Sequence, residues 1–248
     1  AADPSEVITY VDAHDNETIF DALTYKLPVP TSMADRVRMN TLALSTTALA
    51  QGPSFWHAGA DLLRSKSLDR NSYNSGDWFN RVDWTHQEST FGSGLPPRTD
   101  NESKWDFMRP LLADPALKPG AADVASAHAG ALDLLRLRFS SPLFRLGTAD
   151  LVQDRVAFPQ GGPGQTPGVV LMVVDDTAGA DLDPDRERIV VVFNATPESQ
   201  TVDVAGAGSL RLHEIQAAGA DEVVKQTTVG PGSVTVPART VAVLEQPA

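Results

Sequence analysis

The sequence predicts a protein of two parts, an α/β part followed by an all-β part. The first part has an apolar, β-branched run at residues 7–11, then a helical pattern, then a second short apolar run at 54–58. Short continuous apolar runs are typical of parallel strands that are buried on both faces. From residue 151 onward, short stretches alternate apolar and polar residues between turn-forming residues, which indicates antiparallel strands. We expect the boundary near residues 140–150.

Composition and charge narrow the classes of function. The chain has 248 residues, 42% of them hydrophobic, and is therefore able to bury a sizeable core. Its 32 acidic and 20 basic residues give a net charge of −12, which argues against nucleic acid and membranes as partners and suits a neutral substrate such as a sugar. No apolar run approaches the roughly 20 residues of a membrane span. The absence of cysteine excludes disulfides and thiol catalysis.

The elements of the α/β part follow one another in a strand, helix, strand order. After the first strand, residues 18–27 are expected to form a short helix or loop. Ser32 is a plausible N-cap for a helix that continues to Ala50, and Gly52-Pro53 would end it. With the second strand at 54–58, this makes a βαβ unit with a right-handed crossover. A strand buried on both faces needs neighbours on both sides, so we expect the chain to begin in the middle of a domain.

A long segment, residues 59–120, shows little periodicity, and loops of this length are usually functional. Its mixture of aromatic, amide and charged residues is typical of a sugar-binding site. The alternative is a surface loop held in place by Trp78, Phe79 and Trp84.

A second helix is predicted over residues 123–139, before Ser140-Ser-Pro142 ends it. The residues expected on its apolar side are Val124, Ala131, Leu132, Leu135 and Phe139.

The all-β part is predicted to be an antiparallel β-sandwich with one face of each sheet exposed to solvent. Its expected strands are residues 151–158, 168–175, 188–195, 201–204, 209–215, 222–228, 233–236 and 239–245.

The cluster His14-Asp15-Asn16-Glu17 comes directly after the first strand, where α/β folds place ligands and chemistry. Three interpretations are open. It could be half of a metal site completed by His57, a structural turn in which His14 and Asp15 bond to each other, or part of an active site. In the third case, Asp15 would stabilise developing positive charge and His14 would donate to a substrate hydroxyl.

Other catalytic motifs are absent from the sequence. There is no G-x-S-x-G elbow for a serine hydrolase, and no glycine-rich dinucleotide or phosphate loop. The remaining histidines, His86, His128 and His213, are expected to be structural.

Three stretches together carry a family resemblance. They are Tyr10-Val-Asp-Ala-His-Asp-Asn-Glu-Thr18, Asp61-Leu-Leu-Arg-Ser-Lys-Ser67 and Asn71-Ser-Tyr-Asn-Ser-Gly-Asp-Trp-Phe-Asn-Arg81. They resemble pullulanase-type α-1,6-glucosidases, a group in the α-amylase superfamily that includes the plant limit dextrinases. The resemblance extends through Ser140-Ser-Pro-Leu-Phe144 and the β-rich tail, and so covers essentially the whole chain.

The resemblance implies a (β/α)8 TIM barrel followed by an all-β domain. Residues 1–145 would form the carboxyl-terminal part of the barrel, with its seventh and eighth strands, the long substrate-side loop and the final helix. Residues 146–248 would form the β-sandwich. The implied substrates are branched α-glucans, namely pullulan, limit dextrin, amylopectin or glycogen, cleaved at α-1,6 links.

The resemblance also implies roles for individual residues. Asp15 matches the third catalytic carboxylate, which stabilises the transition state, and His14 and Asn16 match substrate-binding positions beside it. Arg70 and Asn71 would bind substrate from the loop after the eighth strand, although some relatives carry Asp at the position of Asn71.

Two further residues of the motif, Asp77 and Trp78, would either bind substrate or hold this loop together.

The chain departs from the family in one respect. A retaining glycosidase needs a nucleophile and a general acid whose carboxyl groups lie about 5–5.5 Å apart. In the family these are an Asp and a Glu on the fourth and fifth barrel strands, upstream of the motif found here. We therefore expect this chain to lack both, to be inactive alone, to need the missing amino-terminal half of the barrel, and to self-associate through exposed edges.

Two alternative functions stay open at this point. The chain could be a non-catalytic carbohydrate-binding or structural fragment, or a complete metal-dependent enzyme. The resemblance implies no cofactor on these residues; calcium occurs in the wider superfamily, but cannot be assigned to a position here. The resemblance to bacterial enzymes that act on external glucan suggests a secreted or cell-surface location.

Overall fold

The computed structural model describes residues 1–248, which divide into two compact units. The unit that we call the β unit contains residues 1–9, 45–54 and 132–248. The helical unit contains residues 10–44 and 55–131. Neither unit is a continuous stretch of chain. The assignment of residues 1–145 to a barrel and of 146–248 to a separate domain stays a prediction.

Six α-helices lie between residues 19 and 140. They are α1 (Ile19–Lys26), α2 (Met33–Ala48), α3 (Asp77–Asn80), α4 (Arg98–Asn101), α5 (Trp105–Ala113) and α6 (Ala121–Ser140). The core of the helical unit is apolar and fully buried, and the rings of Phe20 and Phe91 meet there edge to face at 5.9 Å. Met108 of α5, Ala127 of α6 and Val37 of α2 complete this core.

The predicted helices of this part are confirmed, and so is the predicted cap of α2. The Ser32 hydroxyl accepts a hydrogen bond from the Asp35 amide at 3.1 Å. At the start of α1, the Thr18 hydroxyl accepts a hydrogen bond from the Asp21 amide, also at 3.1 Å. Each hydroxyl satisfies an amide that has no partner within its helix.

The two predicted buried strands are corrected by the structure. Segments 7–11 and 54–58 meet in a single parallel bridge between Thr9 and Ser54. Val7, Ile8 and Tyr10 are about half exposed, because these segments have no further strand beside them in this chain. The parallel direction agrees with the predicted βαβ order, but the expected burial on both faces is wrong.

The segment 59–120 is less irregular than predicted. It contains α3, α4 and the nine-residue α5, together with short 3₁₀ turns. Helix α5 was missed because Pro110 lies within it and removes an amide donor from the helical pattern.

The buried side of α6 also differs from the prediction. Val124 and Ala131 are buried as expected, whereas Leu132, Leu135 and Phe139 are exposed. The buried positions instead continue as Ala127, Leu134 and Leu137. This is the ordinary spacing of three and four residues along one helix face.

The β unit contains two antiparallel sheets. The strands are β1 (Val156–Ala157), β2 (Val169–Asp175), β3 (Arg186–Asn194), β4 (Gln200–Asp203), β5 (Arg211–Leu212), β6 (Thr228–Val229), β7 (Ser233–Val236) and β8 (Thr240–Pro247). One sheet has the order β1-β2-β3-β8-β5 and the other has the order β4-β7-β6. Buried valines and leucines of both sheets belong to one apolar cluster, which is the core of this unit.

Three of the eight predicted strands are reduced to the two-residue strands β1, β5 and β6, next to short helical segments. Helix α7 (Ala149–Arg155) occupies most of segment 151–158, because the Thr148 hydroxyl caps the Leu151 amide at 3.3 Å. In segment 209–215, β5 is followed by α8 (Glu214–Ala218), and segment 222–228 contains a 3₁₀ turn at Val224–Gln226 before β6 begins at Thr228. The other five predicted strands are confirmed within two residues at each end.

The expectation that one face of each sheet is exposed fails for the two central strands. In β3, Ile189, Val190, Val191 and Val192 are all fully buried, and β8 is buried from Thr240 to Glu245. Gln216 of α8 bonds the backbone of β8 on the side where β5 ends. It accepts from the Val243 amide at 2.7 Å and donates to the Val241 carbonyl at 2.9 Å.

None of the helices combines the length and the apolar character that crossing a membrane would require.

Candidate functional site

The His14-Asp15-Asn16 turn is exposed and lies in the helical unit, after the parallel bridge. The side chains of His14 and Asp15 are 87% and 73% exposed, and His14 Nδ1 lies 3.3 Å from Asp15 Oδ1. Asn16 has a φ of 59°, a left-handed conformation that asparagine tolerates better than most residues. The turn therefore presents its polar side chains to solvent.

A cleft of about 460 Å³ brings the turn together with a second polar segment. It is lined by Asp15, Asn16, Arg70, Asn71 and Asp100. Four of these five residues are ones that the sequence predicted for the site, although the two pairs lie 54 or more positions apart along the chain. The fold thus brings both predicted segments to one open, polar concavity.

Arg70 is oriented by an ion pair at the edge of this cleft. Its Nε lies 3.1 Å from Oε1 of Glu17, whose side chain is only 19% exposed. The more buried carboxylate holds the guanidinium in place, while the half-exposed Arg70 keeps further donors free to face the cleft.

Asn71 is held by a fully buried carboxylate, Asp69. Asp69 Oδ1 accepts from the Asn71 amide at 2.9 Å and from Asn101 Nδ2 at 3.1 Å, and Oδ2 accepts from Ser75 Oγ at 2.6 Å. The Asn71 side chain donates in turn to Asp100 Oδ2 at 3.3 Å. Asp69 is therefore a structural centre that fixes the loop from which Arg70 and Asn71 reach the cleft.

The turn is fixed on its inner side by Lys66, which is 1% exposed. Its ammonium donates to the carbonyl oxygens of His14 at 2.9 Å and of Asn16 at 2.6 Å. Burial lowers the pKa of Lys66, an effect that the nearby carboxylates of Asp21 and Asp69 oppose.

The metal interpretation finds no support in the arrangement of side chains. His57 Nδ1 lies 3.8 Å from Asp12 Oδ2, and Asp12 instead accepts from the Ile19 amide at 2.8 Å. No group of three His, Asp or Glu side chains in the chain is arranged to hold a metal ion.

Asp77 and Trp78 are not among the residues that line the cleft. Trp78 Nε1 donates to the Ser93 carbonyl at 2.8 Å, and the Arg81 guanidinium lies over its ring at 4.2 Å from the centroid. These contacts hold the loop together, which was one of the two roles considered for Trp78.

The three remaining histidines make contacts of a structural kind. His128 Nδ1 lies 2.8 Å from Asp61 Oδ2, and the His86 ring contacts the His128 ring at 4.6 Å between centroids. His213 is fully buried in the β unit and lies 3.1 Å from Ser140 Oγ.

Sequence reasoning missed three residues of this site. No local pattern pairs Glu17 with Arg70 or singles out Asp100, and Lys66 appears only as a member of the motif 61–67. All three act through contacts with residues distant in sequence or through a neighbouring loop, and local patterns carry no signal for such contacts.

The cleft combines groups that suit recognition of sugar hydroxyls. Carboxylate and amide oxygens accept hydrogen bonds, and the Arg70 guanidinium and the amide nitrogens donate them. All five lining residues are polar or charged.

Comparison with a model of a known family matches residues 86–247 to the family described as alpha-1,6-glucosidases, pullulanase-type, C-terminal. Among individual relatives, a chloroplastic pullulanase 1 of Arabidopsis thaliana is 46% identical over 249 residues, and covers 97% of this chain and 26% of its own length. A pullulanase of Klebsiella pneumoniae is 42% identical over 251 residues, and the match covers 100% of this chain and 23% of that pullulanase.

Among solved structures, a Klebsiella pneumoniae pullulanase complexed with maltotriose matches with a TM-score of 0.94 and 43% identity. The match covers 100% of this chain and 24% of that one. The chain thus spans about a quarter of the length of the relatives that it matches.

Proposed function

Because the chain belongs to the pullulanase-type α-1,6-glucosidases, we propose that it is the carboxyl-terminal part of a debranching glycoside hydrolase that acts on α-1,6 links of branched α-glucans. The observation that carries this proposal is the shared cleft of Asp15, Asn16, Arg70 and Asn71. A match to a relative in complex with maltotriose supports an α-glucan as the ligand.

In this proposal Asp15 is the carboxylate that stabilises the oxocarbenium-like transition state of a retaining reaction. His14, Asn16, Arg70 and Asn71 bind sugar hydroxyls around it. Asp15 is exposed and lines the cleft; His14 is not among the lining residues, but its ring nitrogen lies 3.3 Å from the Asp15 carboxylate. Asp77 and Trp78 are proposed to support the loop.

The nucleophile Asp and the general-acid Glu are proposed to lie on barrel strands outside these 248 residues. Glu17 lies at the edge of the cleft and is engaged by Arg70, and Asp100 within the cleft accepts from Asn71, so neither is a free partner for Asp15. The chain alone is then inactive, and its partner is the remainder of the barrel.

We also propose the finer architecture. The parallel bridge between Thr9 and Ser54, with α2 between them in sequence, supports the last two strands of a (β/α)8 barrel. The common core of the two antiparallel sheets supports a β-sandwich. The half-exposed Val7, Ile8 and Tyr10 suit burial beside further strands or self-association.

Two assays on the 248-residue chain test this function. Calorimetric titration with maltotriose should show binding that Asp15→Ala weakens and that Asp106→Ala, an exposed carboxylate on α5, leaves unchanged. A reducing-sugar assay should show no hydrolysis of pullulan. Turnover of pullulan that Asp15→Ala abolishes would refute the inactivity of the chain.

A non-catalytic carbohydrate-binding or structural fragment is the alternative. Maltotriose binding that is insensitive to Asp15→Ala and to Arg70→Ala would favour binding at another surface. The absence of any sugar binding would favour a purely structural role.

A further inference from the structure

The three residues 14–16 at the tip of the turn that carries Asp15 are exposed, whereas its flanks are fixed by the buried Asp12 and Thr18. Residues 10–18 form neither a helix nor a regular strand, and the side chains of His14 and Asp15 are mostly exposed. Packing of the side chains at the tip therefore contributes little to its backbone conformation, and Asn16 is held there at a φ of 59°.

Lys66 supplies the missing restraint from the buried side. Its ammonium bonds the carbonyl oxygens on both sides of Asp15, those of His14 at 2.9 Å and Asn16 at 2.6 Å. The His14 carbonyl belongs to the peptide plane that joins His14 to Asp15, and the Asn16 carbonyl belongs to the plane that follows Asn16. Two bonds from one buried cation therefore restrain the backbone on both sides of Asp15. The side chain of Asp15 is then left to project outward, and it lines the cleft.

The backbone of Lys66 is itself firmly placed. Its amide donates to Asp21 Oδ2 at 2.7 Å, and the Ser65 hydroxyl donates to Asp21 Oδ1 at 2.5 Å. Asp21 is fully buried near the start of α1, so the restraint on the turn is anchored in the core of the helical unit.

The segment around Lys66 also stores backbone strain. Leu63, Ser67 and Leu68 have φ angles of 54°, 55° and 67°, a conformation that costs non-glycine residues free energy. Half of the six non-glycine residues with positive φ in the chain lie within three positions of Lys66. Strain of this kind persists where the surrounding structure over-determines the backbone, and it clusters at functional sites.

We propose that Lys66 is the positioning residue of this site, whose buried ammonium holds the turn so that Asp15 faces the cleft. The importance of this role for sugar binding rests on the proposed function, whereas the restraint on the turn does not. Lys66 contacts the backbone of the turn and acts on a ligand only through Asp15 and its neighbours.

The absence of cysteine in the chain permits a matched test. In Lys66→Cys, the single thiolate is alkylated in the unfolded chain, with displacement of bromide, and the chain is then refolded. Bromoethylamine restores a side chain of lysine length with a terminal amine. Bromopropane gives a side chain of the same length without the amine, so the two products differ only in the donor group.

The first readout is the mobility of the turn. Amide order parameters at Asp15 and Asn16 should be about 0.85 in the unmodified and aminoethyl proteins, and should fall below about 0.6 in the propyl protein. Amides of the larger sheet should not change. Equal order parameters in the aminoethyl and propyl proteins would overturn the proposal.

A second measurement uses only the unmodified protein, so the proposal can be tested even if the propyl protein fails to fold. In the unmodified protein, nuclear magnetic resonance should detect scalar coupling across the hydrogen bonds from Lys66 Nζ to the carbonyl carbons of His14 and Asn16. The absence of both couplings, with the Lys66 ammonium signal resolved, would contradict the proposal.

Sugar affinity separates this proposal from the proposed function. Maltotriose should bind the propyl protein about tenfold more weakly than the unmodified protein, a difference of ~1.4 kcal/mol, and aminoethylation should restore the affinity. If the unmodified chain binds no sugar while the order parameters behave as expected, the positioning role stands and the proposed function fails.

Discussion

The buried carboxylate of Asp21 and the hydroxyl of Ser65 lie 2.5 Å apart, although 44 positions separate them in the chain. This contact joins the start of α1 to the segment that carries Lys66. Burial of the carboxylate raises the pKa of Asp21 from 3.8 to about 6, more than the hydrogen bonds from Ser65 and the Lys66 amide lower it.

The first prediction concerns stability as a function of pH. Because the pKa of Asp21 is higher in the folded state, the folded chain binds the proton more tightly. Asp21 therefore contributes stability at low pH that is lost as the pH rises from about 4 through about 6, by at most ~3 kcal/mol.

The measurement is the free energy of unfolding at several pH values for the wild type and for Asp21→Asn, which does not titrate. The stability of the wild type relative to the variant should fall between pH 4 and about 6.5. Parallel curves for the two proteins would show that Asp21 does not titrate in this range.

The second prediction tests the paired arginine of the cleft. Arg70→Ala should weaken maltotriose binding by about tenfold or more, because a charged donor to sugar hydroxyls is worth about 1.5–3 kcal/mol. The matched control is Arg98→Ala, which removes an exposed arginine that also pairs with a glutamate, Glu102. The measurement is calorimetric titration of both variants with maltotriose. Equal affinities of Arg70→Ala and Arg98→Ala would show that Arg70 does not bind the sugar.

The third prediction concerns Asp100, which the structure adds to the site. Asp100→Ala should weaken maltotriose binding by about three- to tenfold, since it removes a carboxylate of the cleft and the partner of Asn71. Asp106→Ala removes an exposed carboxylate nearby in the chain and should have no effect. An unchanged affinity in Asp100→Ala would mean that ligand does not reach this side of the cleft.

The residues of the site differ in how far sequence could predict them. His14, Asp15 and Asn16 are adjacent, and the motif around Arg70 and Asn71 is specific. The residue types and their order are therefore enough to predict these five residues as members of the site. Lys66 and Asp100 depend on contacts across 50 and 29 positions, which no local pattern encodes.

Errors in the fold prediction have physical causes of the same kind. The apolar character of residues 7–11 predicted burial, but burial depends on neighbours, and this chain places only Ser54 in a bridge beside them. Segment 151–158 has strand-like residues, yet the Thr148 cap begins a helix there. The five longer strands were predictable because turn residues bound each of them and their interiors either alternate, as in β7, or are continuously β-branched, as in β3.

The fourth prediction concerns the close approach of two segments at Gly52. A Cβ atom at this position would lie 2.6 Å from the Val7 carbonyl oxygen and 3.0 Å from that of Pro4. Gly52→Ala should therefore destabilise the β unit by about 2 kcal/mol, because backbone atoms must move. Gly164→Ala is the control, since nothing lies within 4 Å of its Cβ. Thermal unfolding of both variants is the measurement, and an equal transition temperature would contradict the predicted clash.

The fifth prediction concerns the buried ion pair between Arg186 and Glu245. Arg186 Nε lies 2.7 Å from Glu245 Oε2, and the two side chains are 9% and 1% exposed. Glu245→Ala removes a carboxylate that neutralises the buried Arg186 guanidinium. The variant should therefore lower the free energy of unfolding by about 3–5 kcal/mol.

The double variant Arg186→Met with Glu245→Leu separates the cost of an unpaired charge from the value of the pair. Buried ion pairs can be replaced by apolar side chains of similar volume at little cost, so the double variant should be more stable than Glu245→Ala alone. The recovery is limited because Asp183 would lose Arg186, one of its partners at 3.4 Å, while Arg211 and the buried His213 would lose Glu245. A double variant less stable than Glu245→Ala would show that the pair stabilises the junction of β3 and β8 beyond satisfying its own charges.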